Sequence, residues 1–79
     1  MAQINLEKFN RLEKERNTVH TKVAATYSVF DTNGEKYFQI DTYGNVDREI
    51  PEKISQSFQL DRTTAKFLVN LIIKEFNLK

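Results

Sequence analysis

The sequence predicts an α+β fold with the element order α-β-β-β-α, in which a three-stranded antiparallel meander carries helices packed on one face. Three observations predict this fold. An Asn-Gly dipeptide separates two segments rich in β-branched and aromatic residues, a third segment alternates apolar and polar residues, and the last has apolar residues at helical spacing. Because the chain has 79 residues, we expect a single domain, 1–79.

Residues 4–16 are predicted to form the first helix. Leu6, Phe9 and Leu12 recur every three residues, with charged side chains between them. The pair Glu7 and Arg11 lies at the spacing that brings opposite charges together on a helix. The apolar stripe is narrow, so this helix is expected to rest on the surface of another element.

Residues 21–30 and 36–43 are predicted to be paired strands, because Asn33-Gly34 is a strong signal for a two-residue hairpin turn. Such a turn places Val29 opposite Phe38 on a mainly apolar face, and Phe30 opposite Tyr37 on a polar and aromatic face. The further predicted pairs are Tyr27 with Ile40, Ala25 with Thr42, Ser28 with Gln39, and Thr26 with Asp41.

A charged connection, residues 44–53, leads to a third predicted strand over 54–60. In this strand Ile54, Phe58 and Leu60 are expected on one face, with serines and glutamines on the other. Asp61 is suited to cap the helix that follows.

The last helix is predicted over residues 63–76. It carries one apolar stripe for the sheet, made of Ala65, Leu68, Val69, Ile72 and Phe76. A second stripe consists of Phe67, Leu71 and Leu78. A small sheet has one face to offer, so the second stripe requires the first helix or a second copy of the protein. It is therefore the predicted self-association surface.

Composition argues against several classes of function. The 12 Lys and Arg residues nearly balance the 11 Asp and Glu residues, whereas a purely electrostatic nucleic-acid binder has a strong basic excess. There is no cysteine and only one histidine, His20, so no zinc site is expected. No glycine-rich phosphate loop and no catalytic constellation is present. We expect a protein that is not an enzyme and that has no catalytic residues, metal or cofactor.

The sequence also bears on location. The N-terminal residues are charged, and no run approaches the ~20 apolar residues that cross a bilayer. We therefore expect a cytoplasmic protein that does not enter the membrane.

The polar and aromatic face of the hairpin is the candidate binding surface. Aromatic rings on an exposed sheet stack with bases, amides and hydroxyls bond to bases or phosphates, and nearby cations add charge. The predicted nucleic-acid-binding residues are Tyr37, Gln39, Tyr43, Lys36, Arg48 and Lys53. Alternatively, Phe30 and Tyr37 form a stabilising cross-strand pair and the polar residues simply face water.

Residues 37–76 resemble the family of single-stranded-DNA-binding transcriptional coactivators of the positive-cofactor type. FQIDTYG, Lys53, SQSFQLD and TAKFLVNLI, in that order, carry the resemblance. It implies a homodimer joined through the C-terminal helices and a sheet that binds single-stranded nucleic acid. It also implies that Lys53 contacts phosphate and that Tyr43 stacks on a base or bounds the groove.

Most of the chain also resembles a set of short bacterial proteins without established function. The segments VHTKVAATYSVF, DTYG and SQSFQLD carry this second likeness. It implies a bacterial or mobile-element protein.

Two hypotheses follow. The first is a small dimeric module that binds single-stranded nucleic acid through the exposed sheet face. The second is a protein–protein adaptor or regulator of a larger bacterial or phage enzyme, with the sheet or the second helical stripe as its contact.

Overall fold

A computed structural model of the protein describes residues 1–44 and 53–79. The described chain forms one four-stranded mixed sheet, one short 3₁₀ turn and one α-helix, so the α+β class is as expected. The elements are β1 (Ala2–Gln3), the 3₁₀ turn (Leu6–Lys8), β2 (Ala25–Thr32), β3 (Glu35–Tyr43), β4 (Ile54–Asp61) and α1 (Arg62–Glu75). The strand order is β1-β4-β3-β2. The predicted charged connection lies mainly outside the described residues.

The predicted hairpin between β2 and β3 is confirmed with its register. Asn33 and Gly34 have φ angles of 54° and 80°, which is the left-handed conformation that a two-residue hairpin turn requires. Val29 lies opposite Phe38, and Phe30 lies opposite Tyr37. The other predicted pairs of β2 and β3 are also observed. The turn and the two-residue period therefore determine which side chains share a face.

The predicted N-terminal helix over residues 4–16 is wrong. The chain forms only the 3₁₀ turn there, and the side chain of Asn5 accepts a hydrogen bond of 3.0 Å from the backbone N–H of Glu7. Immediately before this turn, the backbone N–H of Ile4 donates to the carbonyl of Gln59 over 3.0 Å. This bond continues the pairing of the N-terminal residues with β4, and an isolated short helix is marginal in water.

The three-stranded antiparallel meander also needs correction, because β1 adds a fourth strand. It pairs in parallel with β4, with Ala2 opposite Phe58 and Gln3 opposite Gln59. The N-terminal residues thereby satisfy backbone groups along the edge of β4 that a three-stranded sheet would leave unpaired.

The third predicted strand is present as β4, which is antiparallel to β3. A bulge interrupts their pairing, because Thr42 lies opposite Gln56 whereas Tyr43 lies opposite Ile54. Ser55 is therefore the extra residue, and Ile54 leaves the row of Phe58 and Leu60 to which simple alternation assigned it.

Helix α1 begins directly after β4, with Asp61 as its cap, as predicted. The backbone N–H of Thr64 donates to Asp61 Oδ1 over 2.8 Å. This hydrogen bond stabilises the carboxylate and lowers the pKa of Asp61 below its ordinary value. The start of the helix is thus held at the end of the strand by a charged cap.

The core lies where the start of α1 crosses the sheet. Leu60 is 5% exposed and is the one buried apolar side chain in the described part of the chain. Ala65 of α1 lines a shallow apolar pocket with Val29, Phe38 and Leu60. The helix thus packs on the apolar face, but it is the only α-helix of the described residues, where two were predicted.

The rest of α1 leaves much apolar surface uncovered. Val69 and Phe76 are 56% and 72% exposed, although the sequence assigned both to the sheet. The radius of gyration is 14.9 Å, whereas a compact chain of this length has about 12 Å. The single chain is therefore less compact than a typical domain of its length, and its core is small.

Candidate nucleic-acid interface

The sheet face opposite α1 is called the polar face here. The alternation of β2, β3 and β4 sends mostly hydroxyl, amide, carboxyl and aromatic side chains to this face. By register, its members are Gln3, Thr26, Ser28, Phe30, Thr32, Glu35, Tyr37, Gln39, Asp41, Tyr43, Ile54, Ser57, Gln59 and Asp61.

A row of amides crosses the middle of the polar face. Gln3 of β1 lies opposite Gln59 of β4, Gln59 lies opposite Gln39 of β3, and Gln39 lies opposite Ser28 of β2. All four strands therefore contribute one hydrogen-bonding side chain to the same row. This arrangement depends on β1, which no periodicity in the sequence indicated.

Asp41 is the acceptor at the end of a hydrogen-bond chain. Gln59 donates from Nε2 to Gln39 Oε1 over 2.8 Å, and Gln39 donates from Nε2 to Asp41 Oδ1 over 2.9 Å. The hydroxyl of Ser57, the partner of Asp41 on β4, donates to the same oxygen. Asp41 is only 9% exposed, so these donors stabilise a largely buried carboxylate.

Aromatic side chains lie on both sides of the amide row, displaced from it along the strands. At the hairpin end, Phe30 and Tyr37 stack with 5.5 Å between ring centroids and 24° between ring planes. At the other end, the hydroxyl of Tyr43 lies 3.0 Å from Thr26 Oγ1. Tyr37 and Tyr43 are six residues apart on β3, which corresponds to about 20 Å along the strand.

The predicted binding residues separate into two groups. Tyr37, Gln39 and Tyr43 are brought together on the polar face. Lys36 lies opposite Asp31, on the face of Val29 and Phe38, and therefore on the other side of the sheet. The alternation of β3 already required this, so the grouping of Lys36 with Tyr37 was inconsistent with the predicted register.

The other two predicted cations are not in the sheet. Lys53 is exposed and directly precedes β4, at the end of the sheet where Ile54 pairs with Tyr43. Arg48 lies outside the described residues. Within the described strands, the polar face carries Glu35 and Asp41 but no Lys or Arg, so its own charge is negative.

Helix α1 has apolar side chains on two opposite sides, and the N-terminal segment contacts one of them. Phe9 packs edge-on against Phe67, with ring centroids 5.9 Å apart. Arg11 pairs with Glu75 over 3.2 Å and with Glu13 over 2.5 Å. These carboxylates, Glu13 foremost, raise the pKa of Arg11. The predicted self-association stripe, Phe67, Leu71 and Leu78, is therefore partly occupied by the chain itself.

The opposite side of α1 is the larger uncovered apolar surface. This surface, called the α1 stripe here, consists of Val69, Ile72, Ile73 and Phe76, which are 40% to 72% exposed. On the same side of the sheet as α1, Tyr27 stacks on Phe38 at 5.4 Å and is 71% exposed. Exposed apolar side chains this numerous in one small chain are typical of an interaction surface.

Two kinds of feature are absent from the part of the chain that the structure describes. No helix in residues 1–44 or 53–79 is both long and apolar enough to cross a membrane. The same residues hold no group of three or more His, Cys, Asp or Glu side chains arranged to bind a metal ion.

The fold and the polar face define the chain as a small α+β protein with a mixed sheet and one C-terminal helix. Comparisons with protein-family models, curated proteins and solved structures found no match. The resemblance to the coactivator family therefore stays a prediction from the residues.

Proposed function

We propose that this protein is a homodimeric, non-enzymatic module that binds single-stranded nucleic acid through the polar face. The main support is the amide row of Gln59 and Gln39, flanked along the strands by the Phe30–Tyr37 stack on one side and Tyr43 on the other. Rings of this kind stack on bases of any sequence, and amides bond to base edges. The resemblance of residues 37–76 to single-stranded-DNA-binding coactivators points to the same ligand.

The charge of the face favours contact with bases over contact with phosphates. Glu35 and Asp41 repel phosphate, while Lys53 directly precedes β4. The backbone of the ligand then runs along the edge of the face with few neutralised phosphates. Because each neutralised phosphate adds to the salt dependence, log K falls only gently with log salt.

Self-association is the second part of the proposal. Among the described residues only Leu60 is a buried apolar side chain, whereas the α1 stripe and Tyr27 are exposed. A short chain with so small a core gains stability by burying apolar surface against a partner. A second copy supplies a matching stripe through a two-fold contact, as in most homodimers.

Fluorescence anisotropy with a labelled single strand of mixed sequence tests nucleic-acid binding. The Tyr37→Leu variant keeps an apolar side chain but removes the ring, and we expect a loss of affinity of about tenfold. The matched control is Tyr27→Leu, which removes a tyrosine from the opposite face and leaves affinity within about twofold. No binding by the unmodified protein at low salt, or an equal loss in both variants, would rule out the polar face as the nucleic-acid site.

A protein–protein adaptor is the second candidate function. The negative charge of the polar face and the exposure of the α1 stripe favour it. Under this alternative, the anisotropy assay gives no signal, and cross-linking in expressing cells yields an adduct with a different protein. Substitution of Ile72 by Asp would abolish that adduct if the stripe is the contact.

A further inference from the structure

We propose that the polar face discriminates between bases and that it prefers cytosine to uracil through hydrogen-bond acceptors organised by Asp41. This inference rests on the proposed binding of single-stranded nucleic acid. It concerns which base lies on the amide row, and it makes Asp41 a specificity-determining residue.

The hydrogen-bond chain fixes which way the two amides point. Gln39 Nε2 is bound to Asp41 Oδ1, and Gln39 Oε1 accepts from Gln59 Nε2. A flip of either amide would place oxygen against oxygen or leave a buried carboxylate without its donor. The orientation of the row therefore originates at Asp41 and extends to Gln59.

Two acceptor oxygens of Asp41 and Gln59 are not used by this hydrogen-bond chain. Asp41 Oδ1 accepts from Gln39 and Ser57, while Asp41 Oδ2 and Gln59 Oε1 accept no hydrogen bond from the described residues. Among the described residues, Thr64 Oγ1 is the one fully buried polar side-chain atom that has no hydrogen-bond partner. Asp41 Oδ2 also has no partner there, so it is not fully buried and keeps some contact with solvent. The face thus presents one charged and one neutral acceptor on either side of Gln39.

Cytosine and uracil differ in what they offer to such acceptors. Cytosine carries a donor amino group at N4, which Asp and Glu commonly recognise, whereas uracil and thymine carry an acceptor oxygen at that position. A carboxylate accepts a stronger hydrogen bond than a neutral group does, and it repels a carbonyl oxygen. Asp41 Oδ2 therefore favours the N4 amino group of cytosine over the O4 carbonyl of uracil, whose remaining donor is N3–H.

The direct test compares oligo(dC) with oligo(dU) of equal length in anisotropy titrations. This pair has the same backbone and no methyl group on the base, and a mildly alkaline buffer keeps cytosine N3 unprotonated. One additional charge-assisted hydrogen bond corresponds to about a ten- to hundredfold preference for oligo(dC). Equal affinity, or tighter binding of oligo(dU), would overturn the inference.

Variants then assign the preference to Asp41. Asp41→Asn keeps the size of the side chain, but its amide oxygen must face Gln39 and Ser57, so an NH2 donor replaces the free acceptor. We therefore expect the preference for oligo(dC) to be lost or reversed. Glu35→Gln is the matched control, because it removes a carboxylate from the same face without touching the amide row. It keeps the preference for oligo(dC). The reverse result, in which Glu35→Gln loses the preference and Asp41→Asn retains it, would contradict the role of Asp41.

A modified ligand gives the same information if Asp41→Asn does not fold. Oligomers of N4,N4-dimethylcytosine lack both donors at N4, so we expect them to lose the advantage of oligo(dC) over oligo(dU) in the unmodified protein. Retention of full affinity would exclude a hydrogen bond from N4. If a mixed-sequence strand binds and base identity has no effect, this inference fails and the proposed function stands; if no strand binds, both fail.

Discussion

Phe9 and Phe67 meet edge to face, with 5.9 Å between ring centroids and 68° between ring planes. Phe67 lies in the first half of α1. The ion pair between Arg11 and Glu75 makes a second contact between the N-terminal segment and α1, at the last residue of the helix. The N-terminal segment is thereby held along the helix although it forms only one 3₁₀ turn itself. The contact forms a second, partly exposed apolar cluster beside the core at Leu60.

Removing the ring of Phe9 should destabilise the protein. We expect Phe9→Ala to lower the free energy of unfolding by about 2 kcal/mol, because it deletes an aromatic pair and half-buried apolar surface. Urea unfolding at one fixed protein concentration measures this change. The control Leu12→Ala removes a side chain that is 72% exposed, and it should change stability by less than about 0.5 kcal/mol. An equal loss in both variants would show that the Phe9–Phe67 contact adds nothing.

Self-association should depend on the α1 stripe. Sedimentation of the unmodified protein is expected to show a dimer at tens of micromolar, and Ile72→Asp should weaken it by about tenfold or more because a charge is buried unpaired. Asn70→Asp adds the same charge to an exposed position of the same helix and should leave the dimer intact. A monomer at high micromolar concentration for the unmodified protein would refute the dimer.

The cap at Asp61 should make stability depend on pH. Because its pKa is lowered in the folded state, the carboxylate contributes stability above its ordinary pKa, near 4, and this contribution is lost as pH falls through the lowered value. We expect Asp61→Ala to cost about 1 kcal/mol near neutral pH and much less in strong acid. Denaturant titrations of both proteins at several pH values measure the difference.

The Asp61→Asn variant separates the hydrogen bond from the charge. Asparagine also caps helices well, so this variant should lie between the native protein and Asp61→Ala at neutral pH. A gap between the native protein and Asp61→Ala that is constant from neutral to acid pH would contradict the charged cap.

The turn should tolerate change at Asn33 better than at Gly34. A Cβ built at Gly34 meets no atom within 4 Å, so the cost of Gly34→Ala arises from its φ of 80° and should be about 1 kcal/mol. Asn33→Gly keeps the left-handed conformation accessible and should change stability by a few tenths of a kcal/mol. Urea unfolding compares the two, and a Gly34→Ala protein as stable as the native one would argue against a strained turn.

The features that could be predicted from the sequence are those that neighbouring residues decide. Asn33 and Gly34 adopt positive φ angles without help from distant contacts, and once they turn the chain, the pairing of Phe30 with Tyr37 follows by counting. The cap at Asp61 is local in the same sense, since the bond spans three residues. Most of the polar face was therefore predictable, including Gln39 and Asp41.

The features that could not be predicted depend on groups far apart in the chain. Residues 4–16 have weak helical spacing, but the N–H of Ile4 bonds to Gln59, and β1 is too short to show any periodicity. The bulge opposite Tyr43 is a mismatch between two strands and has no signature in either one. The alternation of apolar and polar residues in the strands also does not predict how much of α1 the sheet covers.

The amino-acid sequence by itself determined the hairpin, the sorting of its two faces, the third strand and the capped helix, because turn geometry and side-chain periodicity act over a few residues. Only the tertiary structure decided that β1 completes the amide row, that Phe9 packs on Phe67, and that the α1 stripe stays uncovered. Each of these depends on which distant backbone and apolar groups find a partner, and that depends on the arrangement of the whole chain in space.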